Sequence, residues 1–501
     1  MPTQVLTPKF YRREDLTTIM RLRIASIALL FSLHGDITKL SSKYKVSRQF
    51  IYNLRNEFKI FGEERFGEPV EIDLLGAKRK SLEHILMLRL ETKSSIEGIS
   101  TLLEWMDMPY RSVGFISQEL ERIGTLQGNV LSFEGPVLRL AICSDEVFAK
   151  NQTILMTVDP VSLAILQIEL SKDRKSESWS AHWKCLKAAG YEIATLCNDE
   201  GTGMASAQRE ALPDTARQSD TFHAVAHRLG IWASRLEAAA FHAIEAEYEC
   251  LRLCWAAKSE KVWDKRLLAY EQAQANTKTS IALSDAFIFL YHCLLEAFEV
   301  FDAQGGLKNS ANVVTDFTTA LDMLKALGHK EINKAVKSIE SCREDLFNFL
   351  GMAKEAVGRL TGQVPDDVLK TLCLAWQTHK NAIKAKQVKR KNAMQRKEKH
   401  LIAQFASSQN EKNDEWRKLV YVELNNIVRS SAAVECINSI LRPYLNASKN
   451  HVTQSALNLF MAYHNHKPFR AGERKRKIPF EMLTGTIQEK GWLELMLDKA
   501  A

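Results

Sequence analysis

A change of pattern near residue 137 sets the fold class of this chain. Before it, apolar residues recur at helical spacing, whereas after it short runs rich in β-branched residues alternate with turn residues. Such runs are typical of strands. The predicted order is strand 137–143, strand 153–158, strand 164–170, helix 176–189, strand 191–197, helix 201–211 and strand 218–222. We therefore expect an α/β core in this part of the chain.

The chain returns to helical spacing almost throughout residues 224–425. Apolar residues three or four positions apart recur from Leu229 onward. Residues 286–301 are apolar nearly all round, which predicts a buried helix. The block ends in a predicted basic helix over residues 380–399, with nine Lys or Arg against one Glu. We expect an all-helical insertion in the α/β core.

The segment of residues 36–58 has the form of a helix-turn-helix. Ser47 is a suitable N-cap for its second helix, on which Ile51 and Leu54 face inward. In this geometry the start of the second helix enters the major groove, where Arg and Gln read base edges. The side chains predicted to contact DNA here are Arg48, Gln49, Tyr52, Asn53 and Arg55.

A second helical group follows in residues 68–130. Helices are predicted over residues 82–90, 96–105 and 110–123, and Pro109 separates the last two. This pattern fits a second helix-turn-helix or a helical linker domain.

Charge is unevenly distributed along the chain, whose formal net charge is +8. Residues 1–67 carry twelve Lys or Arg against six Asp or Glu, and residues 442–477 carry eight against one. Residues 228–379 run the other way, with seventeen basic and twenty acidic residues. Several separated basic regions indicate a polyanion bound at several places, although a single basic run is also typical of a solvated helix face.

Cysteine usage and apolar runs bear on the compartment. The nine cysteines contain no CxxC pair, which fits buried thiols in a reduced cytoplasm. Residues 24–33 resemble a signal-peptide core but lack a small-residue cleavage site, so they predict a buried helix. The apolar run 287–295 is too short to span a bilayer. No contact with a membrane is expected.

Three acidic residues lie where a metal-dependent site could form. They are Asp145 in CSDEVF, Asp199 in CNDEGTGM after the fourth predicted strand, and Glu435 in SSAAVECINSILRPY. With the order of the strands, these motifs resemble the DDE transposases and retroviral-type integrases, whose catalytic core has the ribonuclease H-like fold. The tail YHNHKPFRAGERKRKIPFEML is similar to the end of many bacterial insertion-sequence transposases. The resemblance covers roughly residues 137–223 and 426–485.

The resemblance implies a metal-dependent nuclease and strand-transfer activity. Asp145, Asp199 and Glu435 would hold two Mg²⁺ ions (Mn²⁺ as a substitute) about 3.5–4 Å apart, since Mg²⁺ prefers carboxylates, water and phosphate oxygens. The implied partners are transposon-end DNA and target DNA, bound by a homodimer or larger assembly. The implied location is the nucleoid of a bacterial cytoplasm.

Further residues are assigned around the acids. Ser431, Glu435, Asn438 and Arg442 share one polar face of a predicted helix over residues 426–445, which Pro443 is expected to break. A basic residue seven positions after the Glu is thought to contact DNA in insertion-sequence transposases, and Arg442 has that position. His223, after the fifth predicted strand, and Asn438 are expected near the site. The basic helix adds Lys389, Arg390 and Lys391 as predicted DNA contacts.

Alternatives remain for the ligands. Asp159 is a rival first acid, but Asp-Pro is typical of a turn, and Glu423 is a rival for Glu435. Glu146 and Glu200 flank the chosen acids and are expected to point to the opposite face or into loops. A zinc site at His223 and His227 is disfavoured. Another ribonuclease H-like nuclease, such as a junction resolvase, and a catalytically inactive DNA-binding protein are the rival functions.

The expected architecture is an α/β ribonuclease H-like core with a large all-helical insertion, preceded by helical helix-turn-helix domains. The insertion accounts for the 236 residues between Asp199 and Glu435. The predicted domains are residues 1–67 (helix-turn-helix), 68–130 (second helix-turn-helix or linker), 131–223 (core, first part), 224–425 (insertion) and 426–501 (core, second part, with a basic C-terminal segment).

Overall fold

The structure is a computed structural model that describes residues 13, 15–30, 33–66, 74–198, 201–405, 410–449 and 451–501. Asp199 and Glu200 lie outside the described residues. The chain divides into two compact units: residues 1–128, 442–467 and 488–501 form the first, and residues 129–441 and 468–487 form the second. The predicted domain boundaries stay predictions, and each unit is described by itself.

The described residues are mostly helical. In chain order the helices are α1 (Thr18–Leu30), α2 (Asp36–Tyr44), α3 (Arg48–Phe66), α4 (Leu74–Leu90), α5 (Ile96–Trp105), α6 (Val113–Gln127), α7 (Ser176–Ala188), α8 (Thr202–Ala211), α9 (Arg228–Trp255), α10 (Glu260–Ala297), α11 (Ser310–Ala326), α12 (Lys330–Ser341), α13 (Phe349–Leu360), α14 (Asp366–Lys384), α15 (Val388–Phe405), α16 (Asn410–Asn425), α17 (Ala432–Ala447), α18 (Gln454–His466), α19 (Pro479–Thr484) and α20 (Trp492–Ala500). The strands are β1 (Leu138–Ala149), β2 (Gln152–Val158), β3 (Ile165–Ser171), β4 (Tyr191–Asn198) and β5 (Ala216–Ser219).

The first unit opens with three helices, α1 to α3, around a small apolar core. Ile24, Leu40 and Ile51 are buried in it. Residues 24–30 of the signal-like run form the end of α1, where Ile24, Ala25 and Ala28 are buried and the rest partly buried, while residues 31 and 32 lie outside the described residues. The Ser47 hydroxyl accepts a hydrogen bond from the backbone N–H of Phe50 at 3.1 Å. This is the N-cap that the sequence predicts for α3.

Helices α4, α5 and α6 form at the predicted second helical group. The Ser95 and Ser112 hydroxyls cap α5 and α6, because each accepts the backbone N–H three residues on. Helix α18 packs closely on α6 at Gly124, where an added Cβ would lie 2.2 Å from the Ser455 carbonyl oxygen. Only glycine allows this approach of the two backbones.

The second unit contains a five-stranded mixed sheet in the order β3-β2-β1-β4-β5. β1 pairs antiparallel with β2 and parallel with β4, and β5 extends the parallel side. The tryptophans Trp179 and Trp183 of α7 are fully buried against the sheet. All five strands were predicted, but two with wrong bounds. β1 runs to Ala149 rather than ending at 143, since its polar residues still pair with β2. β5 spans Ala216–Ser219 rather than 218–222, because the chain turns into a helical segment at Phe222.

The helices α9 to α14 and α16 surround the larger core of the second unit. Two expectations are wrong in detail. The helix over residues 286–301 is not buried all round, because Phe289 is 66% exposed while Phe287 and Leu290 are buried. The basic stretch 380–399 is not one helix: α14 ends at Lys384 and α15 begins at Val388.

One helix of the described chain, α10, is long and apolar enough to span a membrane by length and composition. The helix is longer than its nine-residue apolar run suggested, at 38 residues. Phe287, Leu290 and Leu294 pack into the helical core, so a single helix of this kind is weak evidence for membrane insertion.

Helix α17 differs from its prediction at both ends. It begins at Ala432, not at 426, and it continues through Pro443 to Ala447. Proline removes one backbone donor and usually kinks a helix, but here the helical turns go on beyond it.

Candidate active site

Asp145 lies within β1 on the face of the sheet that α17 covers. Its Oδ2 accepts a hydrogen bond of 3.3 Å from Asn438 Nδ2 of α17. Successive side chains of a strand point to opposite faces, so Ser144 and Glu146 lie on the other side. Glu146 pairs there with Arg174 at 2.9 Å, which confirms that it points away from Asp145.

Glu435 lies in the first turn of α17, one turn before Asn438. Its Oε1 is 2.5 Å from His223 Nε2, and His223 lies in the short π-helical segment Phe222–His227 after β5. The structure therefore places four of the predicted site residues in two contacting pairs, Asp145 with Asn438 and Glu435 with His223, and α17 carries one member of each pair.

Asp220 holds this arrangement and was not predicted from the sequence. Its buried carboxylate accepts the backbone N–H and the hydroxyl of Ser431, at 2.7 and 2.6 Å. It also accepts the backbone N–H groups of Phe222 and His223, at 2.7 and 3.0 Å. One side chain thus fixes both the turn that carries His223 and the start of the helix that carries Glu435.

A second contact joins the same two segments. The backbone N–H and the hydroxyl of Thr221 both donate to the carbonyl of Arg429, at 3.0 and 2.9 Å. The Arg429 guanidinium donates to the Phe298 carbonyl. Repulsion from the same guanidinium lowers the pKa of the Lys384 ammonium to about 8. Positive charge is therefore concentrated beside Asp220.

A buried polar network supports β1 on the face opposite Asp145. The Ser144 hydroxyl is 2.8 Å from the Thr157 hydroxyl, which lies 3.0 Å from His182 Nε2. His182 Nδ1 contacts Glu169 at 2.9 Å, and the Trp183 indole N–H donates to Ser144. Because buried polar groups are costly when unpaired, this network fixes the position of the strand next to Asp145.

The network predicts how stability depends on pH. Burial lowers the pKa of His182 below its usual 6.5, although Glu169 opposes the shift. The folded state therefore binds the proton less readily than the unfolded chain, so His182 costs stability as the pH falls below about 6.5. Between pH 7.5 and 5.5, the free energy of unfolding of His182→Gln should fall by about 1 kcal/mol less than that of the wild type, as measured by thermal unfolding.

His379 provides the control of opposite sign for that measurement. Its ring contacts Glu473 and Glu398, at 2.7 and 3.0 Å, and these carboxylates raise the pKa of His379. Its contribution is present below the unfolded pKa and is lost as the pH rises through the folded pKa. His379 therefore stabilises the folded protein at low pH, and His379→Gln should lower the free energy of unfolding more at low pH than at high pH. Equal pH profiles for both variants would contradict the assignment.

The donor atoms near Asp145 suit a hard cation. Asn438 Oδ1 and both polar side-chain atoms of Asn198, the last residue of β4, are buried without a hydrogen-bond partner among the described residues. Oxygen donors and carboxylates are the ligands that Mg²⁺ prefers. The described residues contain no group of three His, Cys, Asp or Glu that could hold a metal. Asp199, the next residue after Asn198, lies outside them.

The rival ligands have other partners. Asp159 lies in the turn after β2, where it accepts the backbone N–H and hydroxyl of Ser162 at 2.7 and 2.5 Å. Glu423 of α16 pairs with Arg359 of α13 at 2.9 Å. The rings of His223 and His227 lie 5.7 Å apart without a third ligand in the described chain. Of these rival ligands, His223 is the one with a contact to Glu435.

The predicted DNA contacts of the first unit lie along the start of α3. Arg48, Gln49 and Tyr52 are exposed. Gln49 donates to Asn53 at 3.0 Å, and Arg55 lies 5.1 Å from the centre of the Tyr52 ring. These contacts align polar side chains on the exposed side of α3.

The other predicted DNA contacts also lie at the surface. Lys389, Arg390 and Lys391 are exposed in the first turn of α15. Arg442 is exposed on α17, seven positions after Glu435, and belongs to the first unit.

No protein-family model matches this chain, and no curated protein matches it.

Proposed function

We propose that this protein is a DDE-type DNA transposase that cleaves transposon ends and joins them to target DNA. The observation that carries the proposal is the contact of α17 with β1: Asn438, one turn after Glu435, donates to Asp145 across 293 positions of the chain. His223 holds Glu435 on the same helix. This supports a site to which Asp145 and Glu435 both contribute carboxylates, as two-metal phosphoryl transfer requires.

The fold supports a ribonuclease H-like core. The chain forms three antiparallel strands, a helix, a fourth strand, another helix and a fifth strand, the order that the resemblance implies. The helical block α9 to α16 lies in the chain between β5 and α17. That arrangement fits an insertion between the second and third catalytic acids.

In the proposed mechanism Asp145, Asp199 and Glu435 would hold two Mg²⁺ ions (Mn²⁺ as a substitute). Divalent ions bound there would supply Lewis-acid activation of a water or 3′-hydroxyl and charge stabilisation at the leaving oxygen. His223 orients the Glu435 carboxylate through Oε1, and Asn438 orients Asp145 through Oδ2. Asp220 keeps in place the turn that carries His223 and the helix that carries Glu435, without facing the substrate. The cations Lys384 and Arg429 near Asp220 favour the approach of a phosphodiester.

Exposed polar and basic surfaces outside the acidic site would bind the DNA. The start of α3 suits insertion into the major groove, where Arg48 and Gln49 can read base edges. The first turn of α15 suits phosphate contacts, which contribute affinity rather than sequence preference. We further propose that the protein acts as a homodimer on two DNA ends in the bacterial cytoplasm, without contact with a membrane.

Replacing Arg48 by Ala in the full chain should weaken binding of the specific DNA end by about 1–3 kcal/mol. Binding to random DNA should change much less, because base contacts supply the preference. The matched control is Lys59→Ala, later in the same helix, where Lys59 pairs with Glu63 at 3.7 Å. Gel-shift titrations on both DNAs give the two constants. Equal weakening on both would reassign Arg48 to a phosphate.

The decisive experiment is a cleavage and joining assay with the purified full chain. The substrates are labelled duplexes from either side of its own gene, where the ends of an insertion sequence lie, together with a supercoiled plasmid as target. Mg²⁺-dependent release of 3′-hydroxyl ends and their transfer into the plasmid are expected. Cutting of four-way junctions without joining would indicate a resolvase instead. DNA binding without any cleavage in Mg²⁺ or Mn²⁺ would indicate a catalytically inactive DNA-binding protein.

A further inference from the structure

The chain beyond α18 closes into a short loop over residues 469–477, within the second unit. The backbone N–H of Phe469 donates to the Lys477 carbonyl at 3.0 Å, and the N–H of Arg476 donates to the Phe469 carbonyl at 2.8 Å. The sequence of the loop is FRAGERKRK, with five Lys or Arg against one Glu. We call residues 469–477 the basic loop. The DNA contacts proposed above all lie outside it.

Two charged side chains hold the basic loop to the rest of the second unit. The Arg474 guanidinium donates to the carbonyls of Val161 and Pro160, in the turn after β2, at 2.9 and 3.2 Å. The Glu473 carboxylate contacts His379 of α14 at 2.7 Å. The one Glu of the loop therefore faces α14, and the loop has a fixed position on the unit.

Three consecutive cations of the basic loop are exposed, Lys475, Arg476 and Lys477. A tight turn presents them together, because the Lys475 N–H donates to the Gly472 carbonyl at 3.2 Å and the Lys477 N–H to the Arg474 carbonyl at 2.9 Å. Cations on a loop that is already ordered lose less entropy when they bind phosphate groups. All nine loop residues are described, and none has an exposed large apolar side chain, so the loop offers little to a membrane.

Positive charge connects the basic loop to the candidate active site. Burial lowers the pKa of Lys380 on α14, and Arg474 of the loop and Arg429 lower it further, whereas Glu473 opposes the shift. Arg429, three residues before the start of α17, also repels Lys384. The cations therefore form one region that runs from the base of the loop to the start of α17.

The base of the loop also lies close to the level of Asp145 in the sheet. Met156 of β2 is paired with Asp145, and Pro160, whose carbonyl accepts the Arg474 guanidinium, follows four residues later. Four residues span at most about 14 Å, which equals about four nucleotide steps of roughly 3.4 Å along a duplex. A DNA strand cut beside Asp145 can therefore reach the loop within a few nucleotides.

We propose that the basic loop binds the phosphates of the DNA end a few nucleotides from the cut, through Lys475, Arg476 and Lys477. Phosphate contacts fix the register and orientation of a duplex without reading its sequence. The loop thus aligns the strand on the carboxylates, a task separate from the base contacts of α3. The inference rests on the proposed function, since that function supplies the DNA end as the partner.

The first test measures binding of the full chain to the labelled end duplexes across a salt series without divalent cations, so that no DNA is cut. The loop variant carries Lys475→Gln, Arg476→Gln and Lys477→Gln. Its slope of log affinity against log salt should flatten by about 2–3, since each lost phosphate contact removes roughly 0.9. An unchanged slope would overturn the proposal.

The matched control removes two Lys and one Arg elsewhere in the second unit, by Lys184→Gln, Lys187→Gln and Arg209→Gln. All three are exposed on α7 and α8, which cover the face of the sheet opposite Asp145. The control should keep the wild-type slope. A flattening equal to that of the loop variant would show a general effect of net charge and would overturn the site.

A phosphate scan locates the contact on the DNA. Each phosphate of the same duplexes is replaced in turn by an uncharged methylphosphonate. For the wild type, replacements within about six steps of the cut should weaken binding by about two- to fivefold, as for one exposed ion pair. For the loop variant the same replacements should cost little, because their cations are already gone. Full sensitivity in the loop variant would overturn the assignment.

Both measurements are made without cleavage, so the loop site and the activity can fail separately. If the loop variant flattens the slope but the wild type cuts nothing, the phosphate site stands and the transposase activity falls. If the wild type cuts and joins DNA while the loop variant keeps its slope and scan pattern, the activity stands and the loop site falls. Weaker binding of the loop variant to phosphatidylglycerol vesicles, with DNA binding unchanged, would assign the loop to a membrane instead.

Discussion

Replacement of Asp145 by Asn or of Glu435 by Gln is expected to slow cleavage of the DNA end by at least about 10³-fold, equivalent to about 4 kcal/mol of transition-state stabilisation. Both substitutions keep the size of the side chain but remove a carboxylate that a divalent cation needs. End binding should change little, because phosphate and base contacts supply affinity. Single-turnover cleavage in Mg²⁺ and gel-shift titration measure the two effects separately.

The chain offers matched controls for this prediction. Glu146→Gln alters the neighbour of Asp145 on the other face of β1, where it pairs with Arg174. Asp159→Asn and Glu423→Gln alter the rival acids, which are bound to Ser162 and Arg359. All three should cleave within about threefold of the wild type, a difference below 1 kcal/mol. If a control variant lost activity while Asp145→Asn kept it, the active site would have to lie elsewhere.

Asp199→Asn belongs to the same series. Its place in the proposed site rests on the sequence, since it follows Asn198 directly at the end of β4. Activity at the wild-type rate would remove Asp199 from the metal ligands, while the results for Asp145 and Glu435 would still stand.

The sheet was predictable because its strands are marked locally. Short β-branched runs bounded by turn residues fix each strand within a few residues, and parallel neighbours are joined through α7 and α8. The contact of the Asp145 strand with the helix that carries Glu435 was expected only from the resemblance. Nothing local in either segment indicates a partner 290 residues away.

The supporting residues were missed for the same reason. Asp220 precedes an apolar segment, as an N-cap does, and that signal could have marked it. Its bonds to Ser431 cross 211 positions of the chain and leave no periodic trace. Likewise, the break between α14 and α15 lies in a stretch of good helix-forming residues, where His379 contacts Glu398 of the next helix. Tertiary contacts rather than propensity decide the turn there.

Replacement of Asp220 by Ala is expected to lower both stability and cleavage. It leaves the backbone N–H groups of Ser431, Phe222 and His223 without their acceptor. A buried donor left unpaired costs about 1–3 kcal/mol, and the Ser431 N–H is buried whereas those of Phe222 and His223 are partly buried, so the free energy of unfolding should fall by about 1–3 kcal/mol. Because Glu435 and His223 shift when their segments loosen, cleavage should fall by about 10²-fold, the cost of roughly 1 Å of misplacement.

The control for Asp220 is Asp173, another capping carboxylate of the second unit. Asp173 accepts the backbone N–H of Lys175 and the hydroxyl of Ser178 at the start of α7, at 3.0 and 2.8 Å. Asp173→Ala should lower stability much less than Asp220→Ala does and leave cleavage unchanged. Asp220→Asn keeps one acceptor for Ser431 and should recover part of the cleavage rate. If Asp220 acted as a metal ligand instead, Asp220→Asn would raise the Mg²⁺ concentration needed for half-maximal rate. A positioning role leaves that concentration unchanged, because the three ligands remain and only their alignment is lost.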